Sequence, residues 1–143
     1  MGIQRFEGVR LIAFNRGAFR EGAAVCIPGV GIVASPSSLR SVSLLRHEFG
    51  HILQYRRWGF FVFWFLIAPV SLISARKSRK YKGHNHMHRW TEWSANQLSF
   101  HYFSKPADWD LSRYPLGPPS SGFHVPPILR SSFDPEGKIL PAS

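Results

Sequence analysis

Hydrophobic and polar positions divide this chain into three stretches with different periods. Up to about residue 37 the apolar residues come in short strand-like runs, VRLIAF and AVCIPGVGIVA, with Pro28-Gly29 and Gly31 where turns or bulges belong. Ser35-Pro36-Ser37-Ser38 closes that region and offers hydroxyls to cap a helix. From Leu39 to about Trp58 the spacing becomes helical, with Leu45, Phe49, Ile52 and Leu53 recurring on one face. Arg56 and Arg57 suit the last turn of that helix, and Gly59 suits its C-terminal cap.

WGFFVFWFLIAPVSLISA follows, Trp58 to Ala75, eighteen residues without a charge. A further helix is predicted from about Arg89 to Phe103, with Trp90, Trp93, Gln97 and Phe100 along one face. After Ser104 the composition changes. Eight of the eleven prolines lie between Pro106 and Pro141, which excludes regular helix or sheet and predicts an extended or partly disordered tail. The pattern as a whole predicts an α+β, mainly helical domain over residues 1–104, including the apolar segment 58–75, and a Pro-rich tail over 105–143. A length of 143 residues leaves room for one core.

Charge narrows the partners. Eighteen Lys and Arg against eight Asp and Glu give +10, which favours an anionic partner, either nucleic acid or an acidic membrane surface. The chain has no helix-turn-helix pattern, zinc finger or aromatic RNA-binding motif, and its basic residues cluster beside the apolar segment. An anionic membrane surface is therefore the expected partner, and nucleic acid is not. Cys26 is the only cysteine, so no intramolecular disulfide and no Cys-based zinc site can form, and it reads as a small buried apolar residue. Arg5, Arg10 and Arg16 interrupt every apolar run of the N-terminus, so no cleavable signal peptide is expected and the protein is placed on the cytoplasmic side.

The chemistry-bearing stretch is LLRHEFGHILQ, Leu44 to Gln54. On a helix, His47 and His51 stand four residues apart and project from one face about one turn apart. Two neutral imidazoles at that spacing can share one Zn²⁺, with Glu48 beside them as general base. The pairing suits hydrolysis, because zinc lowers the pKa of its water to about 7 and a carboxylate completes the deprotonation. A third ligand is needed to separate this from an amphipathic helix with two surface histidines. Glu92, on the second predicted helix, is the best candidate, and Ala95 is small enough for two helices to approach closely. The tract Gly83-His84-Asn85-His86-Met87-His88 offers a rival set. Read as an extended segment its histidines point to one side, and His88, nearest the Glu92 helix, is the possible additional ligand, with the other two as polar loop residues. Tyr81, Tyr102 and His101 are unranked candidates to stabilise an oxyanion, Gly50 is expected to leave room above the site, and Arg46 and Gln54 read as helix-surface residues.

From about Val25 to Tyr114, the order HEFGHILQ, PVSLISA, WTEWSAN and FHYFSKPADWDLSRYP resembles a group of small bacterial HExxH proteins of the zincin-like, gluzincin type. The resemblance implies His47, His51 and Glu92 as Zn²⁺ ligands and Glu48 as base. It also implies a minimal zincin-like core of a short N-terminal β hairpin, the HExxH helix, a bent apolar segment and a Glu-bearing helix. In that type a residue four positions after the glutamate orients the first histidine. It is usually Asp, and Asn96 stands there in this chain. An edge strand before the active-site helix aligns a peptide substrate by β-addition, a role that falls to Val30–Ala34.

Eighteen uncharged residues reach the lower limit for a membrane span. A single span would put His47 and His51 on one side of the bilayer and Glu92 on the other, so the span and the metal site exclude each other. Pro69 divides the segment into Phe60–Ala68 and Val70–Ala75, each too short to cross, and a bent or re-entrant hairpin in one leaflet is expected. The function these expectations describe is a membrane-associated zinc metallopeptidase acting on a peptide or protein. The alternative is a non-catalytic membrane-surface scaffold that keeps a structural metal.

Overall fold

A computed structural model of the chain describes residues 2–120 and 122–142. Four short strands, β1 (Arg5–Phe6), β2 (Val9–Ala13), β3 (Ala24–Ile27) and β4 (Gly31–Ala34), form one sheet in the order β1-β2-β4-β3. β3 and β4 are the predicted hairpin, paired antiparallel with Cys26 opposite Ile32, while β2 runs parallel to β4 with Leu11 opposite Ile32. That parallel pairing has a consequence for the site. β4 is flanked on both sides, so Val30–Ala34 is not the edge strand expected; the sheet's edges are β1 and, beside β4, the outer strand β3, Ala24–Ile27.

The histidine-bearing helix α1 (Val42–Val62) begins later than the Leu39 start expected. It is capped not by Ser35, Ser37 or Ser38, which bond to one another at a 3₁₀ turn (Ser38–Arg40), but by Ser41, whose Oγ accepts from the Leu44 amide at 3.3 Å. Its inner face closes the sheet: Leu45, Phe49 and Ile52 pack with Cys26 and Ile32, and Phe6, Leu11 and Phe103 cover the edges. Burial and the nearby Glu48 raise the Cys26 thiol far above its ordinary pKa, so it stays protonated inside that core.

The apolar segment bends at a different residue from the one expected. Gly59 leaves the helical region (φ 87°, ψ 176°) and turns the chain, a conformation that glycine adopts without strain. Beyond it a π-helical turn (Phe63–Ile67) leads into α2 (Ala68–Lys80), with Pro69 in the first turn of α2, where its missing N–H costs least. The chain past Gly59 is thus one helical rod and not a hairpin hinged at Pro69. Phe63 and Ile67 pack inward with Trp90, Trp93, Leu129 and Phe133. The opposite side stays apolar and uncovered, with Phe61 74% and Phe65 69% exposed. By length and composition the run Val42–Lys80 passes as a candidate membrane span, with 17% of its most apolar window buried.

Helix α3 (Trp90–Tyr102) is buried on nearly every side. It is also polar, so its position depends on each side chain finding a partner. Gln97 holds the tail by two bonds, donating to the Gly137 carbonyl (2.8 Å) and accepting from the Ile139 amide (2.9 Å). Ser99 donates to the Arg46 carbonyl on α1. The tail is irregular, as its prolines require, yet it packs: a 3₁₀ turn (Pro127–Ser132) places Leu129, with Phe133 just after it, against the tryptophans of α3. The two predicted parts, 1–104 and 105–143, share this core.

Candidate metal centre

Three side chains from two helices meet between α1 and α3. His47 and His51 come from successive turns of α1 and Glu92 from the first turn of α3, all buried, with ligand atoms within 4.8 Å of one another. The approach of the two helices is set by Gly50 and Ala95. A Cβ on Gly50 would collide with the Ala95 carbonyl, so Gly50 serves packing between helices and not room above the site.

Two amides fix the chemistry of the two imidazoles. Asn96 Nδ2 donates to the Pro115 carbonyl at 2.9 Å, which turns its Oδ1 toward His47 Nδ1 at 2.7 Å. Gln54 Nε2 donates to the Thr91 carbonyl and to Ser94 Oγ, which turns its Oε1 toward His51 Nδ1 at 2.8 Å. A carbonyl oxygen only accepts, so each Nδ1 carries the hydrogen and each neutral ring presents its Nε2 lone pair to the centre. Those two nitrogens lie 3.2 and 3.4 Å from Glu92 Oε2. The other carboxylate oxygen accepts from Thr91 Oγ1 at 3.0 Å.

Lone pairs aimed at a carboxylate oxygen repel unless a cation or a proton stands among them. Glu92 Oε2 is buried and has no aligned hydrogen-bond donor, as a metal ligand would be arranged. The separations fit as well, since a tetrahedron with bonds of about 2.0–2.1 Å has edges of about 3.3 Å. His47, His51 and Glu92 together could therefore hold a metal ion. Without one, a proton takes its place. Burial opposes charging of His51, but the Glu92 carboxylate outweighs burial and pushes the imidazole up to about 9. Burial likewise disfavours ionised Glu92, but the His51 charge beside it holds the carboxyl well below its usual range.

Several expectations about the surroundings change. His86, not His88, reaches Glu92: its Nε2 lies 3.2 Å from Oε2, although it stays outside the tight three-residue group. The tract is not extended but coils into a 3₁₀ turn (His86–His88) capped by Asn85. His84 then faces Ser74 Oγ on α2 at 2.8 Å, and exposed His88 faces Asn85 at 3.2 Å. Gln54, expected on the surface, is fully buried. Its place three residues after His51, on the same helical face, was the signal available. Arg46, also expected on the surface, is only partly so: its side chain is 16% exposed, with one end of the guanidinium 3.0 Å from exposed Asp108.

Glu48 is buried beside His47 and lines the cavities that open on the group. Tyr114 was not foreseen. Its ring stacks on His47 with centroids 5.2 Å apart, and its buried hydroxyl has no partner. Burial, with Glu48 adding to it, raises the phenol above its ordinary pKa, so it remains a donor. Tyr81, Tyr102 and His101 are all exposed, and the Tyr102 hydroxyl is engaged by Glu7 at 3.0 Å. Compared with protein-family models, with curated proteins and with solved structures, the chain matches none.

Proposed function

We propose that this chain is a zinc-dependent peptidase of the gluzincin type, working at a membrane surface. The observation that carries the reading is the set of two tautomer-fixed imidazoles and one carboxylate, with a second carboxylate, Glu48, beside them on the cavity wall. Three protein ligands leave a coordination position free, the arrangement of catalytic rather than structural zinc. Two imidazoles and one glutamate are a ligand set that catalytic zinc uses in hydrolytic enzymes. The sheet, α1 and α3 are read as a minimal zincin-like core.

Zinc, when bound, supplies Lewis acidity toward water and the scissile carbonyl. Glu48 takes the proton from the attacking water and hands it to the leaving amine, so hydroxide adds to the carbonyl carbon as the C–N bond breaks. Tyr114 lines the same cavity, and its unpartnered hydroxyl is read as the donor to the oxygen on which charge develops. The outer strand β3 aligns the substrate backbone by β-addition. The uncovered apolar face of the Gly59–Lys80 rod enters the lipid, and Arg56 and Arg57 at one end and Lys77, Lys80 and Lys82 at the other meet anionic headgroups, each contributing about 1 kcal/mol.

The test is peptide hydrolysis by wild-type protein and by Glu48→Gln, with zinc content measured on both. Hydrolysis lost in the variant while zinc is kept supports the reading. A wild type that holds zinc and cleaves nothing would make the metal a structural staple of a membrane-surface scaffold.

A further inference from the structure

Two cavities meet at the His47–Glu48–His86 group; both are walled mainly by apolar side chains, and they differ in that only one also carries arginines. One, of about 260 Å³, runs along the inner face of the apolar rod, walled by Phe63, Ile67, Val25 and Ile27. The other, of about 570 Å³, leads from the same group to Arg76, Arg79 and Arg113. Among the described residues none of these three guanidinium groups forms an ion pair. Arg113 lies over the Tyr114 ring, 5.6 Å from its centroid. Apart from Glu48, the wall carries one carboxylate, Glu21, so the arm is positive on balance.

Both cavities lie along the outer strand β3, and its sequence sets their order. Ala23, just before β3, borders only the arginine arm, Cys26 and Ile27 border only the apolar arm, and Ala24 and Val25 border both. A peptide added antiparallel to β3, the more stable pairing, runs from the Ile27 end toward the Ala23 end. Its residues before the scissile bond then reach the apolar arm and those after it reach the arginines.

We infer that the substrate is a peptide with an apolar side chain on the amino side of the cleaved bond and a carboxylate on the carboxyl side. This rests on the peptidase reading above. The carboxylate is supplied by an acidic side chain or by a chain terminus, and the two share the chemistry an arginine recognises.

The experiment uses the zinc-loaded full chain and matched peptides with Leu before the bond. After the bond they carry Asp, Asn or Lys, each with a free or an amidated C-terminus. The expected result is preference for Asp over Asn by about tenfold or more in kcat/KM, the scale of a charge-assisted contact. Preference for free acid over amide by that factor, whichever residue follows the bond, would assign the carboxylate to the terminus. Arg76→Glu/Arg113→Glu keeps its zinc and turns the preference toward Lys. Calorimetry with zinc-loaded Glu48→Gln reads the same discrimination as affinity, without turnover. Equal cleavage and equal binding of all peptides overturn the substrate assignment and leave the peptidase standing. Discriminating binding with no cleavage by wild type overturns the peptidase and keeps the carboxylate site.

Discussion

On the two sides of Gly59 one helical run solves burial in opposite ways. From Val42 to Trp58 polar side chains turn inward: His47, Glu48, His51 and Gln54 are all buried. From Phe60 to Lys80 large apolar side chains turn outward, Phe61, Phe65, Leu72 and Ile73 among them. Hydropathy alone would have placed them the other way round. The polar half is tolerated inside because Asn96 and Gln54 accept from its two imidazoles, and the Thr91 carbonyl and Ser94 hydroxyl in turn accept from Gln54. The apolar half is uncovered because a chain of this size has one core, already filled on the inner side by Phe63, Ile67 and the tryptophans. The first half could hold a metal ion at its centre, and the second presents an uncovered apolar face.

The most damaging way to break the polar half is to force the helices apart. Gly50→Val places a branched side chain against the Ala95 carbonyl and is expected to cost about 3 kcal/mol or more, read as a loss of Tm together with bound metal. Asn96→Ala keeps all three ligands but frees the His47 ring. Metal affinity should fall by about 10–100-fold in a competition titration with a chelator, while the fold is kept.

Proton competition gives a smaller, graded effect. His51 holds its proton more tightly folded than unfolded. Without metal, the stability from this group is complete below about pH 6.5 and fades as pH rises through about 9. Metal affinity has the opposite sign, because the ion displaces that proton, and should climb by about one log unit per pH unit up to about 9. On the apolar side, Phe61→Ser with Phe65→Ser should change stability by only about 0.5 kcal/mol, since both rings are exposed. The same pair should abolish sedimentation with anionic phospholipid vesicles. A large loss of stability with unchanged vesicle binding would reverse the contrast between the halves.

What the sequence made legible was local. The meeting of His47 and His51 follows from helical spacing, the orienting position of Asn96 came with the resemblance, and a serine-rich boundary marked the approach to α1 without marking Ser41 as its cap. Long-range placements were hidden. The parallel pairing of β2 with β4 moves the outer edge from Val30–Ala34 to Ala24–Ile27, and nothing within either strand announces it. His86 replaces His88 because one Asn85 cap coils the tract and changes which rings share a face. Tyr114 reaches His47 only because Asn96 and Gln97 of α3 hold the tail, whose prolines exclude regular structure but not packing. Gly59 turns the chain where a plain helix cap is expected, and Pro69, where the bend is expected, sits in the first turn of α2 just past the π-helical turn.

The most direct test of the account is the metal content of purified wild type, Glu48→Gln, His47→Ala and Glu92→Ala, with folding checked by circular dichroism. The account predicts about one zinc per chain in the first two and none in the last two. Wild type without stoichiometric metal, or Glu92→Ala that retains it, would contradict a centre built from His47, His51 and Glu92.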